Sequence, residues 1–232
     1  MKKTAILYFS RSPEEERKFK NLDPNFTKST SLRLFQLLHK RTADILKRTG
    51  LDVFEISEED QIGQSFGDKL ANAFSQIFEK NYEAVIAVGN DCLDLKSANL
   101  LNAAKLLKNQ NLVLGPDQRE GLYLIGIQKQ AFFKAEFRKL NWQSPELKKS
   151  IINYIQNNNL KCNFFRTYSD INSSKDLQDY LALNSKKRIS LIILSLIQFT
   201  MAPLEIFSSG RAEKKLNQIK YLRGPPLFLI SA

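Results

Sequence analysis

Residues 84–127, AVIAVGNDCLDLKSANLLNAAKLLKNQNLVLGPDQREGLYLIGI, hold an apolar strand, an acidic turn, a helix and two further strands in one run. Ala84 to Val88 is continuously apolar, as a strand covered on both faces must be, and it stops abruptly at Gly89-Asn90-Asp91-Cys92-Leu93-Asp94. Two carboxylates therefore follow the carboxyl end of a strand. In an open α/β sheet that end lines a crevice into which helix N-termini point, so Asp91 becomes the first residue to follow.

Working outward toward the N-terminus, 4–9 and 51–56 read as strands. Phe35, Leu38, Thr42 and Ile45 mark a helix over 31–48 that Gly50 stops, and Leu70, Phe74, Ile77 and Phe78 mark another over 66–80. The polar segment 10–30, with Pro13 and Pro24, reads as a long loop. Ser97 is placed to cap the helix that follows the acidic turn. Strand and helix thus alternate, which predicts an α/β fold with a largely parallel sheet. The strands 112–116 and 122–127 are separated by only five residues, too few for a helical crossover, so they either pair antiparallel or diverge. Beyond them come a short helix near 130–137, a helix over 145–157, a strand near 162–165 and a helix from Ser173 or Ser174 to Leu183.

The C-terminal fifth differs in character and sets a boundary between a domain of residues 1–184 and an extension of residues 185–232. Eight basic residues against Glu205 and Glu213 surround the apolar run 189–201, ISLIILSLIQFTM. That run is too short to span a bilayer and reads as a buried or interface helix, or as a membrane-surface or self-association segment given its basic flanks. Over the whole chain, 35 Lys and Arg against 24 Asp and Glu leave a charge of +11, which favours anionic partners. Nucleic acid ranks last among these, because no aromatic-interleaved basic motif accompanies the charge.

Cys92 and Cys162 show no pairing pattern, and the opening MKKTAILYFSRSPEEE is too short in apolar residues for a signal peptide, so a cytoplasmic protein is expected. His39 is the only histidine, which makes most hydrolase constellations improbable. It is expected on a solvated helix surface.

Read as one block, Gly89 to Leu95, Val113 to Pro116 and Tyr123 to Gly126 resemble a bacterial family of formerly uncharacterised domains with the GT-A glycosyltransferase-like fold, usually labelled radical-SAM/selenodomain-associated transferases. The family pattern is roughly G-S-D-x-P-D-L, a helix, then V-L-G-P-x-x-D-G-G-Y-Y-L-I-G-L. The chain is similar to the family elsewhere too. Phe9 to Leu22 aligns with F-A-K-x-P-x-P-G-x-x-K-T-R-L, Gln64 to Leu70 with Q-x-x-G-x-L-G-E-R-M, Trp142-Gln143-Ser144 with W-S-T-P, and Asp170 to Leu177 with D-V-D-T-P-E-D-L.

The resemblance implies a three-layer, Rossmann-like GT-A nucleotide-diphospho-sugar transferase fold with a mixed, mostly parallel sheet and a helical C-terminal extension. It also implies transfer of a glycosyl or nucleotidyl group from a nucleotide-sugar, with Mg2+ or Mn2+ held at Asp91 and more weakly at Asn172. Asp91, Arg119 and Glu120 take the catalytic positions. Ser10, Arg11, Arg17, Gly89, Asp94, Gly115, Pro116, Gly121 and Trp142 take the substrate-binding ones. A carboxylate-held divalent ion and basic side chains would stabilise the leaving diphosphate. The residue types also admit simpler roles: Asp91 and Asp94 as helix caps, Gly115 and Gly121 as turn glycines, and Arg11 and Arg17 as a solvated loop neutralised by Glu14, Glu15 and Glu16.

Three departures matter. The family's K-T-R is Phe19-Lys20-Asn21, the acid of D-G-G is Arg119, and the second aspartate of D-V-D is Asn172. Loss of two anionic positions lowers the affinity for a divalent ion. The competing expectation is a catalytically degenerate scaffold that acts through its basic extension, on a second copy of the chain as a homodimer or on an anionic membrane surface.

Overall fold

The computed structural model describes residues 3–22 and 26–201. Its centre is a six-stranded sheet of β1 (Thr4–Phe9), β2 (Asp52–Ile56), β3 (Ala84–Val88), β4 (Leu112–Pro116), β5 (Leu122–Gln128) and β6 (Cys162–Phe164). The spatial order is β2-β1-β3-β5-β4-β6. β1 pairs in parallel with both β2 and β3, and β4 pairs in parallel with β6. β5 runs antiparallel between β3 and β4, so the sheet is mixed and mostly parallel.

The reversal at β5 has a local cause. The chain crosses from β3 to β4 through α4 (Ser97–Leu106) and leaves one strand position vacant, and the five-residue connection then lets β5 turn straight back into it. The two strands therefore pair rather than diverge, with Leu114 opposite Ile125 and Val113 opposite Gly126.

Alternation along the strands builds two cores. Ala5, Leu7, Val85 and Ala87 face a layer formed by α3 (Phe66–Glu79), α5 (Lys134–Phe137) and α6 (Leu147–Asn157), through Phe74, Ile77, Phe137 and Ile151. Ile6, Tyr8, Ile86 and Val88 face α2 (Lys28–Lys47) and α4, through Ile45, Leu46, Leu100 and Ala103. All five residues of β3 are buried, as a strand covered on both faces requires. A third cluster joins α2 to α7 (Ser174–Leu183) and α8 (Arg188–Met201) around Leu34, Phe35, Leu177, Tyr180 and Ile193.

Three local expectations are corrected. The segment read as a loop over 10–30 contains α1 (Pro13–Phe19), whose N-cap Ser12 accepts a hydrogen bond from the Glu15 amide at 3.3 Å. The helix expected from residue 31 starts at Lys28, because Thr27 caps it by accepting from the Thr30 amide. Ser97 is the first helical residue of α4 rather than its cap, and Asn99 accepts the Lys96 amide at 2.9 Å instead.

Residues 3–201 belong to one compact unit, Met1–Met201, so the described part of the extension, α8, is packed on α2 within it. The rest of the extension, 202–232, lies outside the described residues. Among the described residues no helix is long and apolar enough to cross a membrane.

Candidate functional site

At the carboxyl end of β1 the chain turns into α1, and that short helix is fastened at its start. The carboxylate of Glu58, just past β2, accepts the Ser12 amide at 2.6 Å and the Ser12 hydroxyl. With Pro13 at the first helical position and Glu14 to Glu16 in the first turn, the sequence favours a helix beginning there. Fastened in this way, α1 turns Glu16 inward, where it is 4% exposed.

Glu16 accepts a hydrogen bond from the Asn90 amide group at 2.5 Å and pairs with the Lys20 ammonium at 2.8 Å. His39 Nε2 lies 3.6 Å from it, and His39 Nδ1 meets the Tyr8 hydroxyl at 3.1 Å. Burial alone would raise the carboxyl's pKa, but His39, Lys20 and Asn90 together bring it down to about 2. The expectation that His39 sits on a solvated surface is corrected: its side chain is 13% exposed, because this face of α2 packs against β1.

Lys20, at the C-terminal end of α1, also donates to Asp91 Oδ1 and is 13% exposed. Burial works against its charge, but Asp91 and Glu16 outweigh burial and hold the ammonium protonated. Burial, with Glu16 nearby, pushes the Asp91 carboxyl up, while Lys20 opposes the shift.

The segment after β6 returns to the same place. The Ile171 amide donates to the Asp91 carbonyl at 3.0 Å, and Cys92 and Asp170 form an isolated antiparallel bridge. Asp170 is thereby set beside Asp91, and its Oδ1 is buried without a hydrogen-bond partner. Burial and the nearby Asp91 and Asp117 push its carboxyl well above the usual range. The buried Cys92 thiol is also pushed up by burial, which leaves it a poor nucleophile.

Above these groups lies a cleft with two adjoining lobes. The first, about 190 Å³, is lined by Phe9, Phe66, Gly89, Asp91, Tyr123 and Asp170 among others. The second, about 330 Å³, is lined by Asp117, Arg119, Gly121, Trp142, Ser144 and Pro145. Phe66, Leu122 and Ile125 belong to both lobes.

The wall of the second lobe is built by one aspartate. Asp117 Oδ1 accepts the amides of Arg119 and Gly121, both at 2.7 Å, and a Cβ on Gly121 would collide with the same carboxylate. Arg119 is 58% exposed and paired with Asp176. Trp142 donates its Nε1 hydrogen to the Phe137 carbonyl at 2.9 Å and lies so close over Gly67 that a Cβ there would be 2.6 Å from its ring.

Of the residues singled out from sequence, Gly89 and Asp91 meet in the first lobe and Arg119, Gly121 and Trp142 in the second. The others lie elsewhere. Asp94 accepts from the Tyr180 hydroxyl at 3.0 Å and pairs with Lys187, tying the acidic turn to α7. Neither Asp91 nor Asp94 caps α4. Gly115 lies under the Tyr123 ring and Pro116 beside the β4 irregularity, while Glu120 points to Lys148 at 3.9 Å. The Ser10 carbonyl is held by Gln61, Arg11 stacks on Phe19, and Arg17 Nε is buried without a partner. The Asn172 amide donates to Asp176, outside the lining of both lobes.

Glu16, Lys20, Asp117 and Asp170 are the residues the sequence reading did not place at the site. The alignment with D-V-D did contain Asp170, and the lysine two residues before Leu22 was the remaining trace of the basic loop.

Residues 33–144 match the family described as "Uncharacterized protein conserved in bacteria (DUF2064)". The match covers a little under half of the chain. The matched span runs from α2 through Trp142 and so contains Asp91, Asp117 and Arg119, whereas Glu16, Lys20 and Asp170 fall outside it. No curated protein matches the sequence.

Among solved structures, the chain is similar to a crystal structure described as a "putative nucleotide-diphospho-sugar transferase" from Desulfovibrio desulfuricans G20. The TM-score is 0.74 at 19% identity, covering 86% of this chain and 95% of that one. Weaker likenesses are to the Rv0371c protein of Mycobacterium tuberculosis H37Rv (TM-score 0.47, 10% identity, covering 78% and 96%) and to a cytidylyltransferase from Leptospira borgpetersenii (TM-score 0.41, 16% identity, covering 86% and 94%). The first of these likenesses establishes the nucleotide-diphospho-sugar transferase-like fold.

A fold of this kind brings with it the expectation of Mg2+ or Mn2+, and the donor set can be tested against that. Among the described residues no three His, Cys, Asp or Glu side chains converge on a metal position. One oxygen of Asp91 is already taken by the Lys20 ammonium, and Asn172 lines neither lobe of the cleft. Unit charges 4 Å apart interact by about 4 kcal/mol at an effective dielectric near 20, so a divalent ion beside that ammonium would meet about twice that in repulsion. The residues as arranged do not fit a divalent ion at Asp91.

Proposed function

We propose that the cleft binds a nucleotide-diphosphate sugar, or a closely related phosphorylated ligand, and that the protein is a cytoplasmic transferase of glycosyl or nucleotidyl groups. One observation carries this reading: the acids of the first lobe, one of them holding the buried Lys20 ammonium, adjoin an exposed arginine and a tryptophan in the second, at the carboxyl ends of β1, β3 and β4. Ligands of open α/β sheets bind at such ends.

In either kind of transfer a phosphorylated anion departs, and what it needs from the protein is positive charge and hydrogen-bond donors placed beforehand. Arg119 supplies a planar guanidinium suited to phosphate oxygens, on a loop that Asp117 keeps in one conformation. The carboxyl groups of Asp91 and Asp170 suit the hydroxyls of a sugar in the first lobe. Trp142 and Phe66 offer apolar surface on which a ring can lie.

Calorimetry with a panel of nucleotide-diphosphate sugars, each with and without Mn2+, tests the reading. At least one is expected to bind in the micromolar to millimolar range, and Arg119→Ala is expected to weaken it about tenfold or more. Absence of binding by every member would overturn the reading. It would favour the second one, a scaffold acting through the extension, for which the exposed Leu191 and Ile192 of α8 speak.

A further inference from the structure

We infer that Lys20 is the resident cation of this cleft: its ammonium holds the place at Asp91 that a divalent ion would take, so the anionic ligand is bound without a metal. The inference rests on the reading of the cleft as a site for a phosphorylated ligand and names how that ligand's charge is met.

The geometry makes Lys20 part of the architecture rather than a surface side chain that has drifted inward. Its Nζ lies between Glu16 Oε1, at 2.8 Å, and Asp91 Oδ1, and its own amide donates to the Glu16 carbonyl at 2.9 Å. Glu16 is held from its other side by Asn90 at 2.5 Å, with His39 at 3.6 Å and Tyr8 behind the histidine. If Lys20 swung away, a buried carboxylate would lose its cation, and one left unpaired is strongly unfavourable. The helix that carries both residues is fastened to the end of β2 through Ser12 and Glu58.

Charge balance leads to the same conclusion. The Glu16 carboxylate and the Lys20 ammonium cancel, and of the two acids lining the first lobe, Asp91 and Asp170, Asp91 already has one oxygen held by Lys20. A magnesium- or manganese-type ion wants one or two ionised carboxylates together with the ligand's phosphates, and it tolerates no ammonium on the same oxygen. At Arg119 and Asn172 as well, the family pattern's acids are replaced. Arg119 removes negative charge from the second lobe, and Lys20 neutralises it at Asp91 in the first.

The test titrates Mn2+ alone, without nucleotide, into the full-length protein, its Lys20→Gln variant and the Lys20→Gln/Asp91→Asn double variant. Binding is followed by calorimetry and water-proton relaxation, and folding by circular dichroism. The wild type is expected to show no saturable site up to about 1 mM Mn2+, Lys20→Gln to gain a site at least about tenfold tighter, and the double variant to lose it. A submillimolar wild-type site that Asp91→Asn removes would overturn the inference, as would a folded Lys20→Gln protein with no gain. Should Lys20→Gln fail to fold, the wild-type titration still decides, since tight Mn2+ binding overturns the inference and its absence supports it. No nucleotide enters the measurement, so failure here is distinct from failure to bind a nucleotide-sugar.

Discussion

Asp170 is an acid whose pKa is raised by burial and by the neighbouring Asp91 and Asp117, and that gives stability a definite pH dependence. Its pKa is raised on folding, so its contribution is fully present below the unfolded value, near 3.8, and is lost as pH rises through the folded one. An asparagine side chain at this position would not titrate. Asp170→Asn should therefore stabilise the protein at pH 7.5 by about 1–3 kcal/mol, the scale of relieving a buried unsatisfied polar group. The gain should disappear below about pH 4, where the wild-type acid is protonated in both states. Thermal unfolding at the two pH values checks this, and an unchanged or lower midpoint at pH 7.5 would contradict the account of Asp170. Asp91 was legible in sequence because it directly follows an apolar strand. Its partners were not: Lys20 lies 71 residues from Asp91, Glu16 lies 74 residues from Asn90, and pairings at that separation leave no local periodicity. Glu16 and Lys20 look like ordinary members of a solvated, charge-balanced run until α1 is folded against β3.

At the scale of the element, α1 sets the site, because it carries both Glu16 and Lys20. Its start is held at Ser12, whose hydroxyl caps the helix and donates to Glu58 while its backbone amide donates to the same carboxylate. Ser12→Ala should cost about 1–2 kcal/mol. If that loss is local, amide exchange over residues 14–20 should speed up about tenfold, while β3 keeps its protection. Equal acceleration in β3 would mean that α1 opens only with the whole fold. Pro13 concealed this helix in the sequence. A proline among polar residues looks like a breaker, yet directly after a serine and before three glutamates it occupies the first helical turn, where its missing N–H is harmless. The helix and strand periodicities of 84–127 were legible because that stretch is covered on both faces. The antiparallel return of β5 was only half legible, since a five-residue link excludes a crossover without choosing between pairing and divergence.

Over the whole molecule, three packed regions divide the work. The two faces of the sheet bury the cores that fix strand order, and the third cluster, of α2, α7 and α8, braces the acidic turn from behind. Arg41 of α2 donates to the carbonyls of Cys92, Leu93 and Leu95, and Asp94 is tied to Tyr180 of α7 and to Lys187 just before α8. The turn that presents Asp91 thus depends on elements far along the chain, including one that the sequence assigned to a separate extension because its composition changes at residue 185. Composition left two readings of that run open, a buried helix or an interface segment, because α8 is apolar enough to contribute to a core while its flanks are basic, and its packing on α2 is of the first kind. Ile193 is fully buried in the third cluster. Ile193→Ala should cost about 2–5 kcal/mol. The loss should reach the site, weakening nucleotide-sugar binding along with stability, whereas the exposed Leu191→Ala should cost no more than about 0.5 kcal/mol. Denaturant unfolding of the two variants, set beside their calorimetric affinities, separates the cases. If Ile193→Ala unfolds as easily as predicted but binds with unchanged affinity, the brace and the site are independent, and the acidic turn is held by β3 and Arg41 alone.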